Sequence, residues 1–375
     1  MKIFIVHASA GAGHKKAADA IKDAFDDSKD RQHEVRVIDC LDYTNSFFKR
    51  SYVWGYNFLV SDALFLWGIF FYVFDFRPFR IFVKAGRACL NFINGSRFYK
   101  FIIKENPDCV ISTHFLSTEI IGNLKRLKLY KGKLITCVTD YGIHAFWISM
   151  DVDVYVVASE YSKRELARKG IAPEKIRVLG IPVQRKFTVR LDRNEVIEKL
   201  GLRKGLFNIL LMGGGLGVGP IPELVEVISR AANPFQLLVV CGKNEDLSAE
   251  VKSLASGSKI AVKIYGFIEN VNELMDACDV LISKPGGLSI SEALVKGLPI
   301  LSASYIPGHE AKNLKFLEKN NVGIKIKHPR EALQKLQTLY SSPELLASMR
   351  ERARQLGKPT AAGDIVLLTL EELGE

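Results

Sequence analysis

The segment from Asp279 to Glu292 constrains the fold more than any other stretch of this chain. A short apolar run at 280–282 is followed by Lys284-Pro-Gly-Gly287 and then by Leu288-Ser-Ile-Ser-Glu-Ala-Leu-Val. This order predicts a buried strand, a glycine turn and the start of a helix. A helix amino terminus offers backbone N–H groups and the positive end of the helix dipole, so the segment predicts an anion site, most naturally for phosphate.

Two purely structural explanations of the same residues are also open. Ser289 and Glu292 fit a capping box, in which both side chains bond only to the first-turn amides of their own helix. Gly286 and Gly287 are also the residues expected where a strand-to-helix turn needs positive φ. The segment alone does not choose between these explanations and a phosphate site.

Length and composition indicate a globular protein of two domains. The chain has 375 residues, whereas single hydrophobic cores stop growing near about 250–300 residues. Its net charge of +11 favours a polyanionic partner, either nucleic acid or anionic lipid. The six cysteines include no C-x-x-C pair, which is typical of reduced thiols in a cytosolic protein. The first residues, 1–6, predict a strand and no secretion signal.

The chain opens with a predicted strand (3–7), a glycine loop (8–14), a helix (15–25) and a second strand (34–38) that ends at Asp39. Gly11 and Gly13 resemble a dinucleotide-binding fingerprint, but the third glycine is missing and His14 follows directly. His14 is therefore either a solvated first-turn residue or a functional one. A helix amino terminus lowers the pKa of histidine and favours the neutral imidazole that a general base requires.

Residues 47–82 differ sharply from the rest of the chain, since 15 of these 36 residues are aromatic. The apolar core at 63–74 is shorter than the roughly 20 residues needed to span a bilayer. With basic residues on both sides, the segment predicts an interfacial contact with anionic lipid. The alternatives are a pair of core helices or an oligomer interface. Single-stranded nucleic acid is disfavoured because the basic residues are peripheral to the aromatic cluster.

Polar residues follow two further apolar strands, near His114 and near Asp140. In a parallel sheet such strand ends line the ligand crevice, which makes His114, Asp140 and His144 crevice candidates. Asp151 and Asp153 resemble a metal-binding acidic pair. Because an apolar strand follows at once, we interpret them as a loop entering that strand.

The second half repeats the theme of strand, glycine loop and helix. A strand at 208–212 runs into glycines at 213–219 and then Pro220, which suits the first turn of a helix. No Gly-Lys-Ser/Thr follows, so the loop predicts a backbone cradle and not an ATP-type P-loop. Other predicted elements are strands at 178–183, 235–241, 261–264 and 279–283, a connector helix at 184–204 and an amphipathic helix at 361–373.

These elements predict two doubly wound α/β domains with a cleft between them. The predicted limits are 1–184 for the amino-terminal domain and 185–357 for the carboxy-terminal domain. Residues 358–375 are expected to pack back on the amino-terminal domain.

Short motifs occur in order along nearly the whole chain: Gly11-Ala-Gly-His14, Val138-Thr-Asp140 with His144 and Trp147, Gly180-Ile-Pro182, Met212-Gly-Gly-Gly215, Cys241-Gly-Lys-Asn244, Gly266-Phe267, Lys284-Pro-Gly-Gly287 with Ser291-Glu292, and Pro307-Gly-His-Glu310 with Asn313. In this order and spacing the chain resembles glycosyltransferase family 28, which has the GT-B architecture. It is similar in particular to the membrane-associated enzymes that make monogalactosyl- or glucosyl-diacylglycerol, relatives of the peptidoglycan GlcNAc-transferase.

The resemblance implies a UDP-hexose donor in the carboxy-terminal half and a diacylglycerol acceptor in the amino-terminal half. It places Gly266 and Phe267 beside the uracil, Gly286 to Ser289 at the diphosphate and Glu292 at the ribose. The other residues it implies for donor binding are Gly13, Gly213, Gly214, Gly215, Gly242, Lys243, Asn244, Lys284, Pro285, Gly287, His309, Glu310 and Asn313, of which Glu310 and Asn313 would hold the sugar or phosphate and Gly213 to Gly215 would face the transferring group.

Family 28 enzymes invert the anomeric carbon, so a single displacement needs a base on the acceptor and stabilisation of the departing UDP. His14 is the candidate base, with Asp140 and His144 as further catalytic candidates. No tightly bound cofactor or metal is expected, and Mg²⁺ would be at most a stimulant. His309 stands where such enzymes usually carry Gln, which leaves the hexose open. General likeness to bacterial glucosyl-diacylglycerol synthases favours glucose over galactose.

Other functions compatible with these residues are GlcNAc transfer to a polyprenyl lipid, epimerisation of a UDP-sugar and a membrane-bound UDP-sugar sensor. An NAD oxidoreductase, suggested by the first loop and Asp39, is disfavoured. The expected partners are diacylglycerol, anionic lipids and a UDP-sugar, without nucleic acid. The expected location is peripheral, on the cytoplasmic face of the cell membrane. The number of sugars added and the oligomeric state are left open.

Overall fold

A computed structural model describes residues 1–9, 11–28, 33–61, 94–214, 217, 219–303 and 308–375 of the chain. The chain divides into two compact units. The first comprises Met1–Arg185, Ile306–Lys312 and Lys358–Glu375, and the second comprises Lys186–Tyr305 and Asn313–Gly357. Each unit is built on its own six-stranded sheet.

The first sheet is entirely parallel, with strand order β2-β1-β3-β4-β5-β6. The chain winds one way from β1 to β2 and the other way from β3 onward, so the order reverses between β1 and β3. Its strands are β1 (Lys2–His7), β2 (Glu34–Asp39), β3 (Cys109–Ser112), β4 (Lys133–Cys137), β5 (Val154–Val157) and β6 (Ile176–Val178).

The second sheet is also parallel, with strand order β12-β11-β10-β7-β8-β9 and a reversal between β7 and β10. Every residue of β7, β8 and β10 is buried, as expected for parallel strands that are covered on both faces. The strands are β7 (Phe207–Met212), β8 (Phe235–Val240), β9 (Ala261–Tyr265), β10 (Val280–Ser283), β11 (Ile300–Ser302) and β12 (Gly323–Lys325). The predicted doubly wound α/β architecture is confirmed in both units.

Helices connect the strands. They are α1 (Ala12–Asp27), α2 (Ser46–Ser61), α3 (Ser96–Glu105), α4 (Phe115–Arg126), α5 (Glu160–Arg168), α6 (Arg185–Thr188), α7 (Arg193–Lys199), α8 (Ile221–Ile228), α9 (Glu245–Ala255), α10 (Val271–Ala277), α11 (Gly287–Lys296), α12 (His309–Lys319), α13 (Glu331–Ser341), α14 (Pro343–Leu356) and α15 (Ala361–Leu373). Short 3₁₀ helices occupy Cys40–Tyr43, Ala145–Trp147 and Pro173–Lys175.

Two predicted elements are wrong. The strand expected at 178–183 is instead β6, which ends at Val178, because Gly180 takes a φ of 102° and turns the chain away from the sheet. The single connector helix expected at 184–204 is two short helices, α6 and α7. The side chain of Asp192 accepts hydrogen bonds from the amides of Asn194 (2.8 Å) and Glu195 (3.0 Å), and this cap starts a new helix.

Helix α15, at the end of the chain, is part of the first unit. Ile365, Val366 and Leu368 are buried in the same apolar cluster as Ile21 and Phe25 of α1. In addition, Lys133 Nζ lies 2.8 Å from a carboxylate oxygen of Glu372. The end of the chain therefore completes a core whose other members come from the first 160 residues.

Five cysteines of the described residues are free and buried, while Cys89 lies outside them. Asp153 accepts a hydrogen bond from the amide of Leu134 at 2.7 Å and pairs with Lys125 Nζ at 2.5 Å, so it holds the loop entering β5 as expected. The part of the chain that the structure describes contains no group of three or more metal-binding side chains. None of its helices is long and apolar enough to cross a membrane.

Candidate active site

His14 lies at the reversal point of the first sheet, where the crevice of a doubly wound fold forms. Helix α1 begins at Ala12 after Gly11, whose φ of 92° strongly favours glycine and whose position provides no side-chain cap. His14 is therefore in the first turn, next to Gly13. The loop after β1 brings it against the segment that follows β3 on the neighbouring strand.

Hydrogen bonds assign the tautomer of His14. Its Nδ1 lies 2.8 Å from the carbonyl oxygen of Thr113 and 2.9 Å from Oγ1 of Thr139. Because a carbonyl oxygen only accepts, the hydrogen of the neutral ring is on Nδ1 and the lone pair is on Nε2. The hydroxyl of Thr113 in turn donates to the carbonyl oxygen of His14 at 3.0 Å, so the residue is held at both its backbone and its ring.

Burial lowers the pKa of His14 below its usual range, and the negative charge of Asp140 acts in the opposite direction. The charge of His309 lowers the pKa further, which brings His14, Asp140 and His309 into one electrostatic environment. His14 is therefore neutral near pH 7 and carries a lone pair on Nε2. This is the state that a general base requires.

The other two crevice histidines cap helices through their rings. His114 Nδ1 accepts from the amide of Leu116 at 3.1 Å at the start of α4, and His144 Nδ1 accepts from the amide of Phe146 at 3.2 Å. The ring of His114 packs edge-on against His14, with centroids 4.5 Å apart. His144 thus has a structural role at its Nδ1, while its predicted catalytic role stays a prediction.

Two residues of this environment, Thr139 and His7, were not among the predicted site residues, although Thr139 lies inside the motif Val138-Thr-Asp140. Thr139 contacts His14 directly, across 125 positions of sequence. His7 ends β1, is buried, and its Nδ1 has no hydrogen-bond partner among the described residues. The sequence signals were the position of each residue at or after the end of an apolar strand and, for Thr139, that motif. Asp39, by contrast, accepts from the amide of Leu41 at 2.9 Å and caps the 3₁₀ helix after β2.

In the second unit, α11 starts directly after β10 at the reversal point of the sheet. Its first residue is Gly287 and its N-cap is Gly286, which has no side chain to cap the helix. Ser289 lies inside the first turn, so the capping box suggested for Ser289 and Glu292 does not form. Glu292 is buried one turn further along α11. A helix amino terminus capped only by glycine backbone remains suited to an anion.

The glycine loop after β7 lies beside this helix terminus. Gly213 and Gly214 are described, while Gly215 lies outside the described residues. A Cβ on Gly213 would come within 2.7 Å of Ile221 Cδ1, and one on Gly214 would lie 3.5 Å from Cε of Lys284. Gly214 also has a φ of 73°. The loop therefore favours glycine at both positions, and Gly214 lies beside the side chain of Lys284.

Two further predicted residues lie together at the ends of β8 and β9. Lys243 Nζ is 5.3 Å from the ring centroid of Phe267, whose side chain is 57% exposed. A Cβ on Gly266 would be 3.7 Å from the carbonyl oxygen of Gly242, so the two loops touch. Asn244 instead caps α9 by accepting from the amide of Leu247 at 2.9 Å.

Helix α12 contributes the remaining predicted residues. Asn313 is fully buried, and its Nδ2 donates to the carbonyl oxygen of Pro285 at 3.0 Å, which supports the turn before α11. Glu310, in the first turn of α12, is also buried. His309 precedes it and is half-exposed.

The fold is that of GT-B glycosyltransferases. MurG of Acinetobacter baumannii superposes with a TM-score of 0.65 over 99% of both chains, at 15% identity. HepE of Anabaena, in complex with UDP-glucose, superposes with a TM-score of 0.57 over 99% of both chains, at 13% identity. These likenesses confirm the predicted architecture.

Sequence comparison assigns the family. Residues 14–183 match the family model of monogalactosyldiacylglycerol (MGDG) synthase, and residues 208–364 match the glycosyltransferase family 28 C-terminal domain. The chain is 32% identical to the chloroplastic monogalactosyldiacylglycerol synthase of Spinacia oleracea, over 97% of this chain and 71% of the relative. It is 30% identical to the processive diacylglycerol beta-glucosyltransferase of Bacillus pumilus, over 95% of this chain and 91% of the relative.

The chain belongs to the monogalactosyldiacylglycerol synthase family of diacylglycerol glycosyltransferases. The predicted membership in glycosyltransferase family 28 and the predicted enzyme class are confirmed.

Proposed function

We propose that this protein transfers a hexose from UDP-hexose to diacylglycerol with inversion, and that the hexose is glucose in preference to galactose. The names of its relatives in spinach and Bacillus pumilus support the reaction type. The observation that carries the proposal is the amino terminus of α11, which follows a buried strand at the reversal point of the second sheet and has a glycine N-cap. Such a terminus is suited to a diphosphate.

On this proposal most of the residues that bind the donor belong to the second unit, while Glu310 belongs to the first. The amides at Gly286 and Gly287 and the hydroxyl of Ser289 hold the diphosphate, and the carboxylate of Glu292 accepts from the ribose hydroxyls. Phe267 and Gly266 lie against the uracil, where the exposed ring of Phe267 offers a stacking surface. The backbone at Gly213 and Gly214 faces the transferring group. Glu310 and Asn313 act on the sugar or phosphate, Asn313 in part by supporting Pro285.

The first unit activates the acceptor. Nε2 of His14 takes the proton of the diacylglycerol hydroxyl while that oxygen attacks the anomeric carbon. The bond from the anomeric carbon to the phosphate oxygen breaks, and UDP leaves with the electron pair. The helix dipole and amides of α11 stabilise the charge that develops on UDP, so this step needs no metal. One in-line displacement accounts for inversion.

Membrane contact belongs to the same proposal, with the protein peripheral on the cytoplasmic face and bound to anionic lipid. The aromatic segment 47–82 would provide the contact, although residues 62–82 lie outside the described ones. Its first helix, α2, supports the proposal because Trp54 is 67% exposed and lies near Lys49 and Arg50, with which it lines one surface pocket. Aromatic and basic side chains together favour an anionic interface.

Product analysis tests the proposal. Purified protein is incubated with diacylglycerol liposomes and a panel of UDP-sugars, and the lipid products are identified with their anomeric configuration. The expected product is glucosyl-diacylglycerol of inverted configuration. Galactosyl-diacylglycerol alone would overturn the choice of hexose. Preference for a competing polyprenyl acceptor, interconversion of UDP-sugars without lipid, or binding of UDP-hexose without turnover would each overturn the reaction.

A further inference from the structure

Thr139 contacts the ring of His14 from the turn that follows β4. It is almost completely buried, and its Oγ1 lies 2.9 Å from Nδ1 of His14. We propose that Thr139 is a positioning residue, whose hydroxyl orients the imidazole of His14 and strengthens it as a base. The inference rests on the proposed function, in which His14 deprotonates the acceptor.

The two hydrogen bonds at Nδ1 determine the direction of the ring. The Nδ1–H is shared between the carbonyl oxygen of Thr113 and the hydroxyl of Thr139, at 2.8 and 2.9 Å. A flip of the ring would replace this N–H by a C–H and would lose both bonds. Nε2 is therefore held in one orientation, as a general base must be. Of the two acceptors, only the hydroxyl of Thr139 can be removed by substitution.

The same hydroxyl acts on the charge of the ring. When Nε2 takes a proton, Nδ1–H becomes a stronger donor, and its bond to Oγ1 of Thr139 gains strength. Thr139 therefore favours the imidazolium that forms during the reaction. It acts with the charge of Asp140, whereas burial and the charges of His309 and His7 act against protonation. His114, packed edge-on, is a further titratable ring beside His14.

Thr139→Val tests the inference, since it keeps the shape of the side chain and removes the hydroxyl. With diacylglycerol vesicles and UDP-glucose we expect kcat to fall roughly tenfold, and KM for UDP-glucose to change by less than about twofold. Loss of the acceptor also disfavours the imidazolium and so lowers the pKa of His14. The acid limb of the pH profile of kcat/KM should therefore move to lower pH by about half a unit. Thr139→Ser should restore both the rate and the limb.

Thr136→Val is the matched control. Thr136 is buried on β4 three positions earlier, and its Oγ1 lies 3.2 Å from Oγ1 of Thr118 and not against His14. This variant should keep the rate and the acid limb of the parent protein. Thermal unfolding of each variant identifies those that fold. If Thr139→Val does not fold, Thr139→Ala removes the same hydroxyl and must give the same two shifts.

Two results would overturn the inference. One is that folded Thr139→Val keeps both the rate and the acid limb of the pH profile, and the other is that its rate falls while the acid limb stays in place. The variant His14→Ala, assayed in parallel, separates this failure from failure of the proposed function. Near-normal turnover of His14→Ala would overturn the role of His14 as base. An inactive His14→Ala beside a normal Thr139→Val would overturn only the positioning role.

Discussion

At the scale of single residues, the role proposed for His14 depends on how its environment selects one protonation state. Burial lowers its pKa, while two acceptors at Nδ1 leave the lone pair on Nε2. A solvated first-turn histidine, the alternative considered from sequence, would have neither property. The geometry thus favours a chemical role over an incidental position at the start of a helix.

His14→Ala is expected to cut turnover by about 10²-fold or more, because proton transfer from the acceptor then lacks a positioned base. The affinity for UDP should change little, since the residues proposed for the uracil, the diphosphate and the ribose, from Gly266 to Glu292, lie in the second unit. Turnover is measured on diacylglycerol vesicles and UDP affinity by calorimetry. His328→Ala, which removes an exposed histidine, should behave as the parent protein. Retention of a near-normal rate in His14→Ala would exclude it as the base.

Glu292→Ala is expected to weaken binding of UDP-hexose by about tenfold, through loss of hydrogen bonds between a carboxylate and the ribose hydroxyls. Binding to vesicles should be unaffected. The control is Ser291→Ala, because the Ser291 hydroxyl donates within the helix to the carbonyl oxygen of Gly287 at 2.9 Å. Calorimetric titration with UDP-glucose measures the effect. Equal affinities for the two variants, with only lower unfolding temperatures, would show that Glu292 is a structural residue.

The sequence identified some residues of the candidate site and not others. His14 was recognisable because a glycine loop and a strand precede it. The contact of Thr139 with His14 was not predictable, although Thr139 lies in a recognised motif, because the contact follows from strand order and spans 125 positions of sequence. The choice between a capping box and an anion site depended on whether the N-cap is Gly286 or Ser289. A sequence pattern does not locate a helix boundary to within three residues.

At the scale of elements, most strands were predictable because strands covered on both faces are continuous apolar runs, as in β7 and β8, whereas the three-residue strands β11 and β12 were not predicted. The failures fall where this pattern is weakest. β6 is a three-residue edge strand, and the apolar residues after it lie beyond Gly180. After β6, the charged run at 184–204 gave no sign that Asp192 would cap a second helix.

Helix α2 carries a prediction about membrane binding. Trp54→Ala should reduce partition onto vesicles of anionic lipid by about threefold to tenfold, since exposed tryptophan is favoured at the lipid interface. Leu367→Ala on α15 is a matched control, because both side chains are 67% exposed. Co-sedimentation with anionic and neutral vesicles measures the partition. Equal loss in both variants, or none in Trp54→Ala, would count against α2 as a membrane contact.

At the scale of the whole molecule, neither unit is one continuous segment of the chain. The chain passes through the second unit and then returns, so that α15 fills the core formed by α1 and the first sheet. The core of the first unit therefore depends on residues beyond 357. A ligand of the second unit and a core substitution in α15 should accordingly affect different units.

Ile365→Ala tests this separation. Ile365 is fully buried, and its truncation should destabilise the first unit by about 2–4 kcal/mol through lost burial and a residual cavity. UDP at about 100 times its dissociation constant should stabilise the second unit by about 2.7 kcal/mol. In scanning calorimetry we expect the substitution to lower the temperature of one unfolding transition and UDP to raise the temperature of another. Leu367→Ala, exposed on the same helix, should leave both in place. If Ile365→Ala and UDP instead shift the same single transition, the two units unfold together and the prediction is wrong.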